Sequence, residues 1–286
     1  MPTAGPSTRS ATAPTEERRL RAGAVRHGDL PPPVGRDAAL TVLDITKFFA
    51  AGTGGVRTWL LQKSEWLAGK PGVAHVVIVP GERDAIRDTG PSRWYALRGA
   101  EIPWSKPYRF LIAPRSIRAI IGHERPDVVE VGSHFLVPWQ VVPAARRSGA
   151  ALVWYCHTDL GGLAGGGWRS GRSRSRTREL WAEHYVRALA ARFDVVLAGS
   201  RYLADRLHAA GVRRVELAPL GVDLDRFHPA CRVGDAAMLG ELGVPGAPYA
   251  LYAGRFAREK ELEIVLRAWP EIERRTGVRL VLVGAG

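Results

Sequence analysis

Three short stretches hold residues whose types and spacing could bind a diphosphate or line a reactive cleft. In YAGRFAREKELEIVLRAW (252–269) an apolar run ends at Gly254-Arg255, and a helical pattern starts after Glu259-Lys260. A glycine lets a ligand approach the backbone, and two cations beside a helix N-terminus suit a diphosphate. Arg255 and Lys260 are those cations; the same charges would also serve as the solvated flanks of a turn. In AAGTGGVRTWL (50–60) the Gly54-Gly55 pair joins a strand to a helix, as a phosphate loop or as a plain connector. HTDL (157–160) places His157 at a strand end, where doubly wound folds open their ligand crevice, although strand-end histidines also serve as structural hydrogen-bonders.

These residues need a scaffold, and the hydrophobic pattern supplies one. Short β-branched runs occur at AALTVLDIT (38–46), HVVIVP (75–80), DVVEVG (127–132), ALVWYCHT (151–158), DVVLAGS (194–200) and VELAPL (215–220). Near-continuous apolar strands of this kind are buried on both faces. Between them apolar residues recur at helical spacing: Val56, Trp59, Leu60, Trp66 and Leu67; then Ile117, Ile120 and Ile121; then Leu180, Tyr185, Leu189 and Phe193. Ser200 is placed to cap the helix RYLADRLHAA, and Pro126 ends the helix that begins at Arg115. Alternating strands and helices predict one doubly wound parallel sheet over 39–222. A linker over 223–246 precedes a second unit, 247–286, with strand 249–254, a helix after Lys260 and strand 279–284. Residues 1–38, rich in Pro, Ala, Thr and Arg and without periodicity, read as a disordered tail.

Composition excludes several classes. With 46% hydrophobic and 24% charged residues the chain is neither fibrous nor wholly disordered. No apolar run approaches the roughly 18 residues of a membrane span, and the N-terminus lacks a secretory apolar core, so a cytoplasmic protein is expected. Cys156 and Cys231 form no CxxC pair, which gives neither a disulfide framework nor a four-ligand zinc site. No G-x-G-x-x-G follows the first strand, and neither a nucleophile elbow nor a Walker A sequence occurs.

Taken together, the motifs resemble the retaining nucleotide-sugar glycosyltransferases of the GT-B fold, family 4, also called glycosyl transferases group 1. The resemblance rests on four ordered pieces: Gly54-Gly55, His157 within HTDL, the segment GSRYLADRL…APLGVDLDRFHP with P-x-G-V-D-x-x-x-F from Pro219 to Phe227, and Arg255 with Lys260. It implies an α/β protein with an N-terminal Rossmann-like acceptor-side domain and the start of a C-terminal Rossmann-like, nucleotide-sugar-binding domain. It also implies donor-diphosphate contacts from Gly54, Gly55, Arg255 and Lys260, an active-site role for His157, and no cofactor or metal. The reaction so implied moves a hexosyl group, mannosyl or glucosyl in preference, from a nucleotide-diphosphate sugar to a lipid-linked or glycan acceptor with retention.

Family members continue past the strand matched by RLVLVGAG into a Glu-x7-Glu element. Glu263 and Glu271 share that spacing but sit in the first helix after Lys260, with Pro270 between them, and read as a solvated face. The chain is therefore expected to be C-terminally truncated, with an incomplete second domain and impaired turnover. The alternative is a non-catalytic transferase-like fragment that binds acceptor, membrane or a complementing subunit.

The net charge is +13, and residues 39–222 hold +11 of it. Trp168 with Arg169, Arg172, Arg174, Arg176 and Arg178 forms a basic stretch after a glycine-rich hinge; it is expected either to touch anionic membrane at the inner face or to remain a solvated loop. Its serine interleaving and the lack of a recognition motif argue against nucleic acid as partner.

Overall fold

The computed structural model describes residues 17–20, 25–50, 54–103, 105–160, 176–225, 227–232, 240–241, 243, 248–256 and 260–284. Two compact units divide at Leu220 and Gly221.

The first unit is built on a nine-stranded sheet, ordered β1-β4-β5-β3-β2-β6-β7-β8-β9. Its strands are β1 (Glu17–Arg19), β2 (Leu40–Ile45), β3 (Val73–Gly81), β4 (Ala85–Thr89), β5 (Ser92–Arg98), β6 (Val128–Val131), β7 (Ala151–Cys156), β8 (Val195–Ala198) and β9 (Val215–Leu217). All six β-branched runs read from the sequence in this unit are strands. From β5 to β9 every neighbouring pair is parallel, whereas β4 pairs antiparallel with both β5 and β1. The β4–β5 hairpin breaks the expected strict alternation of strand and helix.

Period-two alternation assigns the two faces of the sheet. Val77, Val79 and Trp94 face Leu60 of α1 (Gly55–Ala68). On the opposite face Leu43, Ile45, Val76, Ile78, Val129 and Trp154 enter the main core. That core is closed by α2 (Pro114–Glu124), α3 (Val137–Ser148), α4 (Arg176–Ala190) and α5 (Arg201–Ala209). Ser200 caps α5 as expected, its Oγ accepting from Leu203 N at 3.2 Å. The chain leaves β2 toward β3 on one side and reaches β6 on the other, so the strand order reverses between β2 and β6. Thr46 Oγ1 donates to Gly132 O at 3.0 Å and Lys47 N donates to Ser133 Oγ at 2.9 Å, tying the two carboxyl ends at that switch point.

The expected disordered tail needs correction where it is described; residues 1–16 and 21–24 lie outside the described residues. β1 extends the sheet edge, and Val25 is buried with its N–H donating to Ser116 Oγ at 3.1 Å. Pro31 O meets His123 Nε2 at 2.7 Å, Pro32 O accepts from Arg93 at 2.7 Å, and Val34 N donates to Glu124 Oε2 at 2.9 Å. Glu124 also takes Arg93 at 3.0 Å and the Tyr95 hydroxyl. A Pro-rich segment of bends and turns has no periodicity to read, because here its partners are buried polar side chains about 60 to 90 positions away.

The second unit contains β10 (Tyr249–Ala253), α6 (Leu262–Thr276) and β11 (Arg279–Val283), with β10 and β11 parallel, which is the expected βαβ. α6 ends at Gly277, φ 69°, and none of its side chains is buried. The described parts of the linker, from Asp223 onward, are exposed. Removing residues 1–38 is expected to lower stability by about 3 kcal/mol or more, since it empties the Val25 site and strips partners from Glu124 and Arg93. Urea titration checks this; an unchanged midpoint would mean the segment adds nothing.

Candidate active site

The carboxyl ends of β2, β6 and β7 meet under the first turns of α1. Gly54 has φ +104°, a region closed to most L residues, and a Cβ there would lie 3.2 Å from Tyr108 Oη. Gly55 differs: nothing stands within 4 Å of the place its Cβ would take. Gly54 is the N-cap without a side-chain cap, and the first turn of α1 carries no acidic residue. Its leading N–H groups point out with a positive helix end behind them.

His157 follows β7 directly. Its ring lies 4.2 Å from that of Tyr155 and 5.9 Å from that of Trp59 on α1, so the helix that opens with Gly54 also packs on the histidine. A Cβ at Gly132 would come within 3.5 Å of His157 Nε2, and glycine there leaves the ring its place. Both ring nitrogens are buried without a hydrogen-bond partner among the described residues. Burial, only partly offset by the Asp44 charge, brings the His157 pKa down to about 4. The imidazole is therefore neutral at pH 7, with one donor and one acceptor. Leaving such atoms unpaired costs about 1–3 kcal/mol each, a pattern expected of a site shaped for a ligand.

Sequence reading missed His134. It follows β6 in Gly132-Ser133-His134 and is brought down to about 3 by burial, then by the nearby Lys47 and His157 charges. The signal that marks His157, a histidine just past an apolar strand, was present here too. Lys47, itself lowered by burial, lies 4.9 Å from the Phe48 ring centre and 5.7 Å from that of Phe135.

Beneath α1 lies a buried ionic cluster that no motif announced. Lys63 Nζ is 2.9 Å from Asp44 and 3.0 Å from Glu130, and His75 Nε2 is 2.6 Å from Asp44 Oδ2. Asp44 and Glu130 are register partners on β2 and β6, so one lysine spans the switch point. Burial opposes ionisation of Asp44, yet Lys63 and the His75 hydrogen bond outweigh it and hold Asp44 well below the usual range. Burial also pulls on Lys63, but Asp44 and Glu130 together raise it. Glu130 is pushed up to about 8, first by burial and then by Asp44, against the pull of Lys63. The cation these acids share is Lys63 Nζ, and among the described residues no group of three or more His, Cys, Asp and Glu is arranged to hold a metal.

The remaining expected residues fall in different places. Arg255 and Lys260 belong to the second unit, in the loop after β10; Tyr252 Oη donates to Arg255 O at 2.8 Å, and Lys260 is exposed. A Cβ on Gly284 would collide with Gly254 O, so the two strand ends of that unit approach at glycine. Arg176 and Arg178 are exposed in the first turn of α4, whereas Trp168, Arg169, Arg172 and Arg174 lie outside the described residues. Glu263 pairs with Arg267 at 3.4 Å, and Glu271 with Arg274 at 2.7 Å and Arg275 at 2.5 Å, the solvated helix face expected of them. The Cys156 thiol is buried and pushed up to about 12 by burial, which leaves it unreactive.

A largely parallel α/β sheet whose strand order reverses between β2 and β6, followed by a second βαβ unit, fits the GT-B class. The chain belongs to Glycosyltransferase Family 4, whose model matches residues 53–226. It is 27% identical over 256 residues to the GDP-mannose-dependent alpha-(1-6)-phosphatidylinositol dimannoside mannosyltransferase of Mycobacterium tuberculosis, covering 86% of this chain and 63% of that protein. It is 33% identical over 178 residues to a GDP-mannose-dependent alpha-mannosyltransferase of the same species, covering 60% and 42%. A D-inositol 3-phosphate glycosyltransferase of Segniliparus rotundus is 31% identical over 174 residues, covering 59% and 37%. The chain thus spans less than two thirds of the length of these relatives. Among solved structures, the catalytic domain of starch synthase IV from Arabidopsis thaliana, bound to ADP and acarbose, matches with TM-score 0.54 at 14% identity over 86% of this chain and 68% of that one, a likeness of fold.

The ionic cluster yields a pH test. Folded Glu130 keeps its proton up to about pH 8, while the unfolded carboxyl gives it up near its ordinary 4.5. Its contribution to stability is whole below 4.5 and lost as pH rises to 8. Glu130→Gln is expected to gain on the unmutated chain across that window by on the order of a few kcal/mol. Chemical denaturation at several pH values reads the difference, and parallel pH trends for the two proteins would contradict the assignment.

Proposed function

We propose that this chain is the acceptor-side domain and the beginning of the donor-side domain of a hexosyltransferase. The enzyme moves a mannosyl group, or failing that a glucosyl group, from a nucleoside diphosphate sugar to a lipid-linked or glycan acceptor with retention of configuration. The observation that carries this is His157: a neutral imidazole without a hydrogen-bond partner among the described residues, at the sheet's switch point and packed against the helix whose uncapped start is Gly54-Gly55. The GDP-mannose-dependent names of the relatives support the mannosyl preference.

Each part has a chemical task in this reading. Breaking the bond between sugar and diphosphate builds negative charge on the leaving phosphate. In the second unit Arg255 and Lys260 are suited to offset such charge, and in the first unit the N–H groups at the start of α1 are. His157 at pH 7 is a poor counter-ion but offers both a donor and an acceptor, which matches a sugar hydroxyl. Desolvation by Trp59 and Tyr155 strengthens such hydrogen bonds.

A second reading, a binding fragment without turnover, is favoured by one observation: α6 of the second unit has no buried side chain. The two readings differ in one assay, since only the transferase yields a donor-dependent, mass-shifted product.

Titration with GDP-mannose and UDP-glucose tests the donor site. Lys260→Ala and Arg255→Ala are each expected to weaken binding about 10- to 100-fold, the loss of a charge-assisted hydrogen bond. Gly55→Val is expected to weaken it too while leaving the thermal midpoint in place, because open space surrounds that position. If all three variants bind as the unmutated chain does, the donor assignment is wrong.

A further inference from the structure

Large apolar side chains in a folded surface normally scatter singly, and a contiguous patch of them marks a contact. One face of the first unit carries such a patch. Exposure is 59% for Ile112, 50% for Leu136, 38% for Phe135, 44% for Trp139 and 65% for Trp181. These side chains are linked. Gln140 Nε2 donates to Leu111 O and Leu136 O, and its Oε1 accepts from Ala113 N, bringing the loop of Ile112 beside Leu136. The Phe135 ring is 5.7 Å from that of Tyr185, which stacks on Trp181 at 5.8 Å. The Tyr185 hydroxyl donates to His134 O at 2.6 Å and accepts from Trp139 Nε1 at 3.3 Å. Leu136 sits at φ 58°, a strained backbone for a leucine, and still presents its side chain to solvent.

The patch continues into positive charge. Arg192 lies 4.4 Å over the Trp139 ring, and Arg146 donates to Arg192 O at 2.9 Å. Next to them a cavity of about 440 Å³ is lined by Arg146, Arg187, Arg213 and Arg214, with Asp194 its one acidic side chain among the described residues. Asp194 is engaged in accepting from Leu152 N at 2.8 Å. The acids of α4 turn elsewhere: Glu179 and Glu183 meet Arg206 at 3.1 and 3.9 Å. Tryptophan and tyrosine with exposed leucine and isoleucine, bordered by guanidinium groups, is the chemistry of a surface that enters a bilayer interface and holds anionic headgroups.

We propose that the face formed by α3, α4 and the loops at 111–113 and 134–136 docks the protein on an anionic membrane surface. Ile112, Leu136, Phe135 and Trp181 enter the interface, and the arginine-lined cavity takes headgroup phosphates. This deepens the acceptor half of the proposed function and rests on it for the choice of a membrane; the docking itself requires no sugar donor.

Vesicle flotation without nucleotide sugar tests the proposal, comparing phosphatidylcholine alone with phosphatidylcholine mixed with phosphatidylglycerol. The chain is expected to float with the anionic vesicles only. Trp181→Ser combined with Leu136→Ser is expected to weaken that binding about tenfold. Both positions are exposed, so the thermal midpoint should stay in place. As a measurement that does not depend on a lost side chain, an environment-sensitive dye on Leu136→Cys should brighten with anionic vesicles, and the same dye on Glu65→Cys of α1 should not. Equal flotation of the double variant and the unmutated chain would overturn the proposal, as would a failure to float with anionic vesicles. So would a concentration-dependent dimer that the double variant abolishes, since the occupant would then be a second copy. Donor binding is not part of this readout, so a wrong donor assignment leaves the result interpretable, and failed flotation leaves the donor titration standing.

Discussion

Lys63 reaching from α1 to both Asp44 and Glu130 is the contact on which the site depends. The two acids are adjacent across β2 and β6, the strands between which the sheet reverses its order. One ammonium group in a low-dielectric layer can neutralise one carboxylate, and the other is driven toward its protonated form; the rise of Glu130 to about 8 is the consequence. Removing Lys63 would strand the buried Asp44 carboxylate, so the cluster needs its cation. The two contacts of Lys63 set the register of α1 on the sheet. With that register set, Gly54 begins the helix beside the strand ends and Trp59 lands on Tyr155 and His157.

The same low dielectric explains the histidines. His134 follows β6 near Lys47, where a second positive charge would be repelled and poorly solvated, and His157 follows β7, where burial disfavours its charge. Both rings stay neutral and offer hydrogen-bonding groups. Arg255 and Lys260, by contrast, belong to the loop after β10 in the second unit. Depth decides the charge state: an ammonium at an exposed loop keeps its hydration, whereas an imidazole under a helix cannot.

Chain segments outside the central sheet are held by polar rather than apolar means. Residues 31–34 have little to bury, yet Arg93, His123 and Glu124 satisfy their backbone groups and thereby satisfy one another. Arg93 would be costly if alone at its depth; bound to Asp88, Glu124 and Pro32 O it becomes the clasp of the N-terminal segment. Aromatic side chains on α3 and α4 do the reverse, remaining exposed although the core beneath them is filled.

The sequence alone determined the strands of both units that alternate with helices, the helices α1, α2, α4, α5 and α6, and the cap at Ser200. Each of these is a local matter of periodicity or of a single side chain meeting a nearby backbone group, and neighbours in sequence carry that information. It also singled out Gly54, Gly55, His157, Arg255 and Lys260 by type and position, and the family assignment follows from such ordered motifs. The β4–β5 hairpin, the helix α3 and the docking of residues 25–38 were not legible, being set by pairings with distant strands and by buried polar partners. The Lys63 cluster and the second histidine at 134 belong to the same group. Asp44, Lys63, His75 and Glu130 are spread across 87 positions and carry no spacing that relates them. Only the tertiary structure decided their chemistry, because a pKa depends on depth and on the nearest charge, and both arise when strands and helix close over one another.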